Sequence, residues 1–226
     1  NSYLPTVMDF AFYDRINAAK HEDTDEWWNG LNRIYNSLVY DYLYEDPAHV
    51  MAFIDNHDTD RFLGNGKDST ALRQALALLL TINRIPQLYY GTEILMNGTK
   101  EITDGNVRKD FPGGFPGDTV NKFTAEGRTK AENEMFNWLS RLLHWRQGNE
   151  VITKGKQTQF IPARQYNGKT VMTILNGKRS DNSLKVERYA EIIGSTTSAT
   201  DVITGQKVDL GSDIKLSQRQ ALILEF

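Results

Sequence analysis

Two carboxylates, an amide and an imidazole occupy four consecutive positions of this 226-residue chain, Asp55-Asn56-His57-Asp58. They follow directly on Val50 to Ile54, an apolar run of strand length, so they fall where a strand hands over to a loop. Side chains of these kinds, gathered at one strand end, can accept and donate hydrogen bonds to a polar ligand and can move protons. A plainer role is open to the same residues. Asx-rich turns terminate strands and cap helices, so Asp58 can be a loop cap and His57 a satisfied loop histidine.

The elements that must position this cluster follow a repeated rhythm. Three times in residues 1 to 150 a short apolar run leads through a polar loop into a segment of helical periodicity. The first run, Leu4 to Phe10, precedes Trp27, Trp28, Leu31, Ile34, Tyr35, Leu38, Val39 and Tyr42 at three and four spacing. This predicts an amphipathic helix with Trp27 and Trp28 in its core face, not on a stacking platform. The second run carries the polar cluster and precedes Ala71, Leu72, Ala75, Leu76, Leu79 and Leu80, a helix apolar on most sides and therefore buried. The third, Pro86 to Tyr90, opens on a proline that forfeits no interior ladder bond. It leads through a Gly-rich loop to Met135, Phe136, Leu139, Leu142 and Leu143.

After Gly148 the period changes to two, as in Thr170 to Leu175 and Gln220 to Phe226, which predicts half-buried antiparallel strands. Asn167-Gly168 supplies the positive φ values of a two-residue hairpin turn, and Asn176-Gly177 and Thr204-Gly205 are further turn signals. Ser195 to Thr200 reads as a loop or an edge strand. Residues 1–149 are thus expected to form an α/β unit of parallel βα repeats, and residues 150–226 a small antiparallel β-sandwich.

Composition excludes several classes of function. With 26 Lys+Arg against 29 Asp+Glu and no basic block, the chain lacks the electrostatic footprint that phosphate backbones require, so no nucleic-acid partner is expected. The absence of cysteine excludes disulfides and thiolate chemistry. No apolar run reaches the length of a membrane segment. The opening Asn1-Ser2-Tyr3 reads as a cut within a longer protein. Repeated βα units fit either a doubly wound sheet or part of an eight-stranded barrel, and in both the functional groups lie beyond the carboxyl ends of the strands. No nucleotide-binding glycine fingerprint follows any of the three runs, which favours the barrel by elimination.

Phe53-Ile54-Asp55-Asn56-His57-Asp58, with Thr59-Asp60-Arg61 after it, resembles the F-x-x-N-H-D motif that ends the seventh barrel strand of the α-amylase superfamily of glycoside hydrolases. Ile85 to Glu93 is similar to the family's eighth strand and Val7-Met8-Asp9-Phe10 to its sixth, and the trailing β-sandwich fits its C-terminal architecture. Within the superfamily the likeness is to the neopullulanase and cyclomaltodextrinase group. The resemblance implies barrel strands six to eight of a TIM barrel, and a retaining hydrolase of α-1,4 or α-1,6 linkages in starch-derived oligosaccharides. Asp58 would be the third catalytic carboxylate, His57 a donor to the same sugar ring, and Asn56 the residue that shapes the turn. Asp104 and Arg108, in the loop after the eighth strand, would either face the next sugar or form a surface salt bridge. Glu93 would brace the barrel mouth. The chain departs from the family pattern at Phe111-Pro112-Gly113-Gly114-Phe115, where an Arg and a Trp are expected.

By the same resemblance the nucleophile and general acid lie upstream, so the upstream barrel half is needed for activity and the isolated chain is expected to be inactive. An α-glucan oligosaccharide is the implied partner, no cofactor or metal ligand is implied within the chain, and the family suggests a periplasmic or extracellular setting. Unpaired sheet edges in a partial barrel imply that the βα half either associates with a second copy or frays. The competing reading is a non-catalytic glucan-binding module. It would need a solvent-facing row of aromatics, and residues 150–226 offer only Phe160, Tyr166, Tyr189 and Phe226.

Overall fold

Apolar residues at Met51–Phe53 (β1) and Ile85–Gln87 (β2) pair in parallel, Met51 opposite Ile85 and Phe53 opposite Gln87. Met8 bridges Met51, also in parallel, through the Met51 amide on the Val7 carbonyl (2.9 Å) and the Asp9 amide on the Met51 carbonyl (2.8 Å). The computed structural model describes residues 4–23, 26–158 and 163–226. Three neighbouring runs therefore advance side by side in one direction, each followed by helix.

The helices begin where side chains can satisfy their free N–H groups. Asp9 caps α1 (Phe10–Ala19), and Asp68 caps α3 (Ser69–Leu79) by accepting from the Thr70 and Ala71 amides. Thr129 and Glu132 form a reciprocal capping box on α5 (Lys130–Arg146). Between them come α2 (Asn32–Leu38), continued by a 3₁₀ segment at Val39–Leu43, and the four-residue turn α4 (Asp104–Val107). Helix α3 is buried on most sides, as its composition predicts; Leu72, Leu76, Leu79 and Leu80 are all sealed from solvent, each burial stabilising the fold by about 2 kcal/mol.

Several local expectations are corrected. The first apolar run is not a full strand, because Phe10 already opens α1, whose short apolar stripe of Phe12, Ile16 and Ala19 lies in a stretch expected to be loop. Trp27 and Trp28 precede α2 instead of joining it and stand 58% and 69% exposed. The Glu26 and Trp27 carbonyls are held by Asn32 and Asn36, so the helical spacing breaks ahead of the tryptophans and their rings meet each other edge to face. Pro86 is the second residue of β2; the Ile85 amide makes the ladder bond to Val50, and the proline faces Ala52 without needing a donor.

The rest of the chain forms α6 (Glu150–Lys154), α7 (Ala190–Ile193) and an antiparallel six-stranded sheet in the order β3-β4-β5-β10-β7-β8. Its strands are β3 (Lys156–Gln157), β4 (Ala163–Tyr166), β5 (Lys169–Leu175), β7 (Ser198–Asp201), β8 (Lys207–Asp209) and β10 (Ala221–Glu225). A separate antiparallel pair, β6 (Asn182–Leu184) with β9 (Ile214–Leu216), closes the second layer. Asn167 and Gly168 both adopt positive φ, 49° and 76°, between β4 and β5, as the hairpin turn demands. Residues 195–197 are loop, one of the two expected alternatives, and the strand that follows, β7, is interior between β10 and β8 and not an edge.

The sheet serves two cores. Met172, Ile174, Leu222 and Leu224 face the β6 and β9 layer, whereas Val171 and Ile223 join the core of α1, α3 and α5. Polar ties cross the same seam: Gln74 of α3 donates to the Asn176 carbonyl (2.7 Å), and the Thr173 and Thr81 hydroxyls meet at 2.8 Å. Tyr166, Tyr189 and Phe226 pack against these cores instead of forming a row in solvent, and Phe160 lies outside the described residues. Among the described residues no helix is long and apolar enough to cross a membrane.

Candidate functional site

The strand end after β1 is shaped by its own polar residues. Asn56 is buried, and its side-chain oxygen accepts from the Asp58 amide (2.8 Å) while its backbone N–H donates to the Thr59 hydroxyl (3.0 Å). This Asx turn lifts His57 and Asp58 out of the fold, their side chains 64% and 61% exposed. Asp55, one residue earlier, points the other way. Its Oδ2 accepts from the Phe62 amide (2.8 Å), closing the loop on itself, while Oδ1 has no partner. Burial pushes the Asp55 carboxyl up to about 6, against the lowering effect of the Phe62 N–H and the Arg61 and Lys20 charges.

The structure brings four of the five sequence-predicted site residues into one ion-paired patch. Asp58 Oδ1 lies 3.2 Å from Arg108 Nη2, and its Oδ2 lies 3.3 Å from His57 Nε2. Arg108 also donates through Nε to the His57 carbonyl (2.8 Å), and its Nη2 stands 3.5 Å from Asp104 Oδ2. Asn56 stands beneath the patch. Exposed pairs of this kind contribute about 1 kcal/mol or less each, so they orient the carboxylate without holding the fold together.

Position comes from a buried layer that sequence reasoning did not single out. Arg61 is fully buried, donating to the Val107 carbonyl through Nε (3.1 Å) and to the Tyr90 carbonyl through Nη1 (2.7 Å). Its guanidinium also lies over the Tyr89 and Tyr90 rings, 4.3 and 4.9 Å from their centroids. One side chain from the loop after β1 thus fastens the end of β2 and the turn that presents Arg108. Further ties run alongside. The Arg61 amide donates to the Gly98 carbonyl, the Gly98 amide to the Gly64 carbonyl, and the Lys100 amide to Asp60 Oδ1 (2.6 Å). Lys100 Nζ reaches the Asp58 carbonyl (3.1 Å) and Asp104 Oδ1 (3.3 Å). Gly98 is required at its place, because a Cβ there would overlap the Asn106 carbonyl. Arg61 follows the motif by three residues, but nothing in its type announces burial.

Tyr89 is also raised, to about 12, first by burial and then by its neighbour Tyr90. Glu93 lies away from Asp58, in a hollow with Leu88, Tyr89, Phe136 and Leu139 between the exit of β2 and α5. Among the described residues no three His, Asp or Glu side chains are grouped to hold a metal ion.

Known proteins resemble the chain along most of its length. Residues 154–225 match the cyclo-malto-dextrinase C-terminal domain. The chain is 24% identical over 225 residues to a cyclomaltodextrin glucanotransferase of Geobacillus stearothermophilus, which covers 92% of the chain and 28% of that protein. It is 25% identical over 215 residues to an α-amylase of Niallia circulans, covering 88% of the chain and 37% of the relative. The crystal structure of an Anoxybacillus α-amylase superposes with a TM-score of 0.73 at 21% identity, over 97% of this chain and 46% of that one. The chain spans less than half the length of each of these proteins. The chain thus shares the fold of α-amylases, is similar in sequence to α-amylases and cyclomaltodextrin glucanotransferases over most of its length, and ends in an antiparallel sheet domain that matches the cyclo-malto-dextrinase C-terminal domain.

Proposed function

We propose that the chain is the part of a retaining α-glucan hydrolase that bears the third catalytic carboxylate, Asp58. Residues 1–149 are then strands six to eight of a TIM barrel with their helices, and residues 150–226 the C-terminal β-sandwich. The observation that carries this reading is the Asp58 carboxylate standing just past a strand whose neighbours on both sides run parallel to it, beside an imidazole and a guanidinium. In eight-stranded barrels that is the face where substrates react.

Retaining glycosidases cleave through an oxocarbenium-like transition state between a nucleophile and an acid roughly 5 to 5.5 Å apart. Asp58 would accept hydrogen bonds from the sugar hydroxyls at the point of cleavage, favour a flattened ring and help keep the acid protonated. His57 would donate to the same ring, Asn56 would hold the turn, and Arg108 would orient Asp58 while Asp104 extends the patch toward the next sugar. The substrate is a starch-derived oligosaccharide with α-1,4 or α-1,6 linkages. The relatives include a protein named as an α-amylase and one named as a cyclomaltodextrin glucanotransferase, which supports an α-glucan substrate under either outcome.

The test compares two forms of the protein on maltohexaose. The full-length protein is expected to release reducing sugar or transfer glucan, and the 226-residue chain to do neither, since the nucleophile and acid are upstream. Steady release by the isolated chain, abolished by Asp58→Asn, would overturn this division of labour; a full-length protein inert toward α-glucans would overturn the substrate.

A further inference from the structure

Arg164 of β4 is 2% exposed, and neither its Nε nor its Nη1 has a hydrogen-bond partner. It projects from the face of the sheet that meets the helices: its cross-strand neighbour Val171 belongs to the core of α1, α3 and α5, and α6 packs on the same strand. A second cation acts on it. Arg146, at the end of α5, donates through Nε to the Leu80 carbonyl (3.0 Å), and its charge acts against that of Arg164. Among the described residues no carboxylate answers the pair. Glu225, on the same sheet face, is taken up by Trp145 Nε1 (3.3 Å) and Asn149 Nδ2 (3.1 Å), and Asp41 by Arg84.

A guanidinium stays charged at neutral pH even when burial and a neighbouring cation lower its pKa to about 10, as they do here. A buried charge is tolerated when it is paired or hydrogen-bonded, and this one is neither. We infer that the seam between the helical layer and the sheet is a binding site for a small monovalent anion, chloride or its equivalent, held by Arg164 with Arg146 as the second cation. The ligand must be small because Arg164 is only 2% exposed and its Nε and Nη1 are buried. The anion would neutralise a pair of like charges between β4, on which α6 packs, and the end of α5, and so would tie the two layers together. This inference stands apart from the catalytic reading, since it involves none of the residues at the strand ends.

The experiment is a thermal unfolding series on protein dialysed free of halide, titrated with sodium chloride or sodium bromide against sodium gluconate at matched ionic strength. Chloride and bromide are expected to raise Tm in a saturating manner that gluconate does not reproduce, because a ligand bound only by the folded state stabilises it by mass action. In Arg164→Met the halide effect should vanish. Should that variant fail to fold, wild-type crystals soaked in bromide provide the second reading, with an anomalous peak expected within hydrogen-bond distance of the Arg164 guanidinium. Identical curves in halide and gluconate, or a bromide map empty at Arg164, would overturn the site and leave a buried water as its occupant.

Discussion

Asp58 and Arg61 are three positions apart in one loop, yet the first is mostly in solvent and the second is entirely out of it. The exposed layer of Asp58, His57, Arg108 and Asp104 is joined by the ion pairs of Arg108 with Asp58 and Asp104, at 3.2 and 3.5 Å, and by the His57 contact with Asp58 at 3.3 Å, all between half-open side chains. The layer beneath, Asp55, Asn56, Arg61 and Val107, is buried and linked to backbone groups. Groups that meet a ligand must be reachable, and reachable ion pairs are weak. Groups that fix a loop need enclosure, where an unmade hydrogen bond is costly. The division assigns chemistry to one layer and geometry to the other.

The largest stability effect should come from the buried layer. Arg61→Met strands the Tyr90 and Val107 carbonyls and is expected to cost about 3 kcal/mol in denaturant unfolding. A loss below about 1 kcal/mol would erase the contrast between the layers.

Asp55 gives a comparable effect that depends on pH. Its carboxyl titrates near 6 in the fold against 3.8 in the ordinary state, so the folded protein binds this proton more tightly. Keeping it ionised is then a cost that is full above pH 6 and fades as pH falls toward 4, on the order of 3 kcal/mol. Stability from this group should therefore rise as the solution is acidified through that window, and Asp55→Asn should flatten the rise; equal slopes in the two proteins would contradict it.

The smallest stability effect belongs to the exposed layer. Arg108→Met should lower stability by less than about 1 kcal/mol, while raising KM for maltooligosaccharides. A stability loss as large as that of Arg61→Met would make Arg108 part of the foundation.

What the sequence discloses follows the same line between local and distant causes. The strand end at Asp58, the hairpin at Asn167-Gly168 and the buried face of α3 are legible because each depends on neighbours a few residues away. Trp27 and Trp28 mislead because a repeat of three and four cannot reveal that Asn32 and Asn36 hold the preceding carbonyls outside the helix. The interior place of β7 is set by pairing with β10, more than twenty residues on, and polar Ser and Thr suggest an edge instead. Of the site, the exposed residues are recognisable from motif and charge. Arg61 is not, since its partners at Tyr90 and Val107 are brought to it only by the parallel pairing of β1 with β2.

The most direct measurement is steady-state kinetics of the full-length protein carrying Asp58→Asn, alongside its thermal unfolding. The account predicts a fall in kcat of roughly 10² to 10³ or more, the scale of losing one preorganised transition-state partner, with Tm essentially unchanged because the side chain is exposed. Retained turnover, or a loss of activity that merely tracks a collapse in Tm, would contradict it.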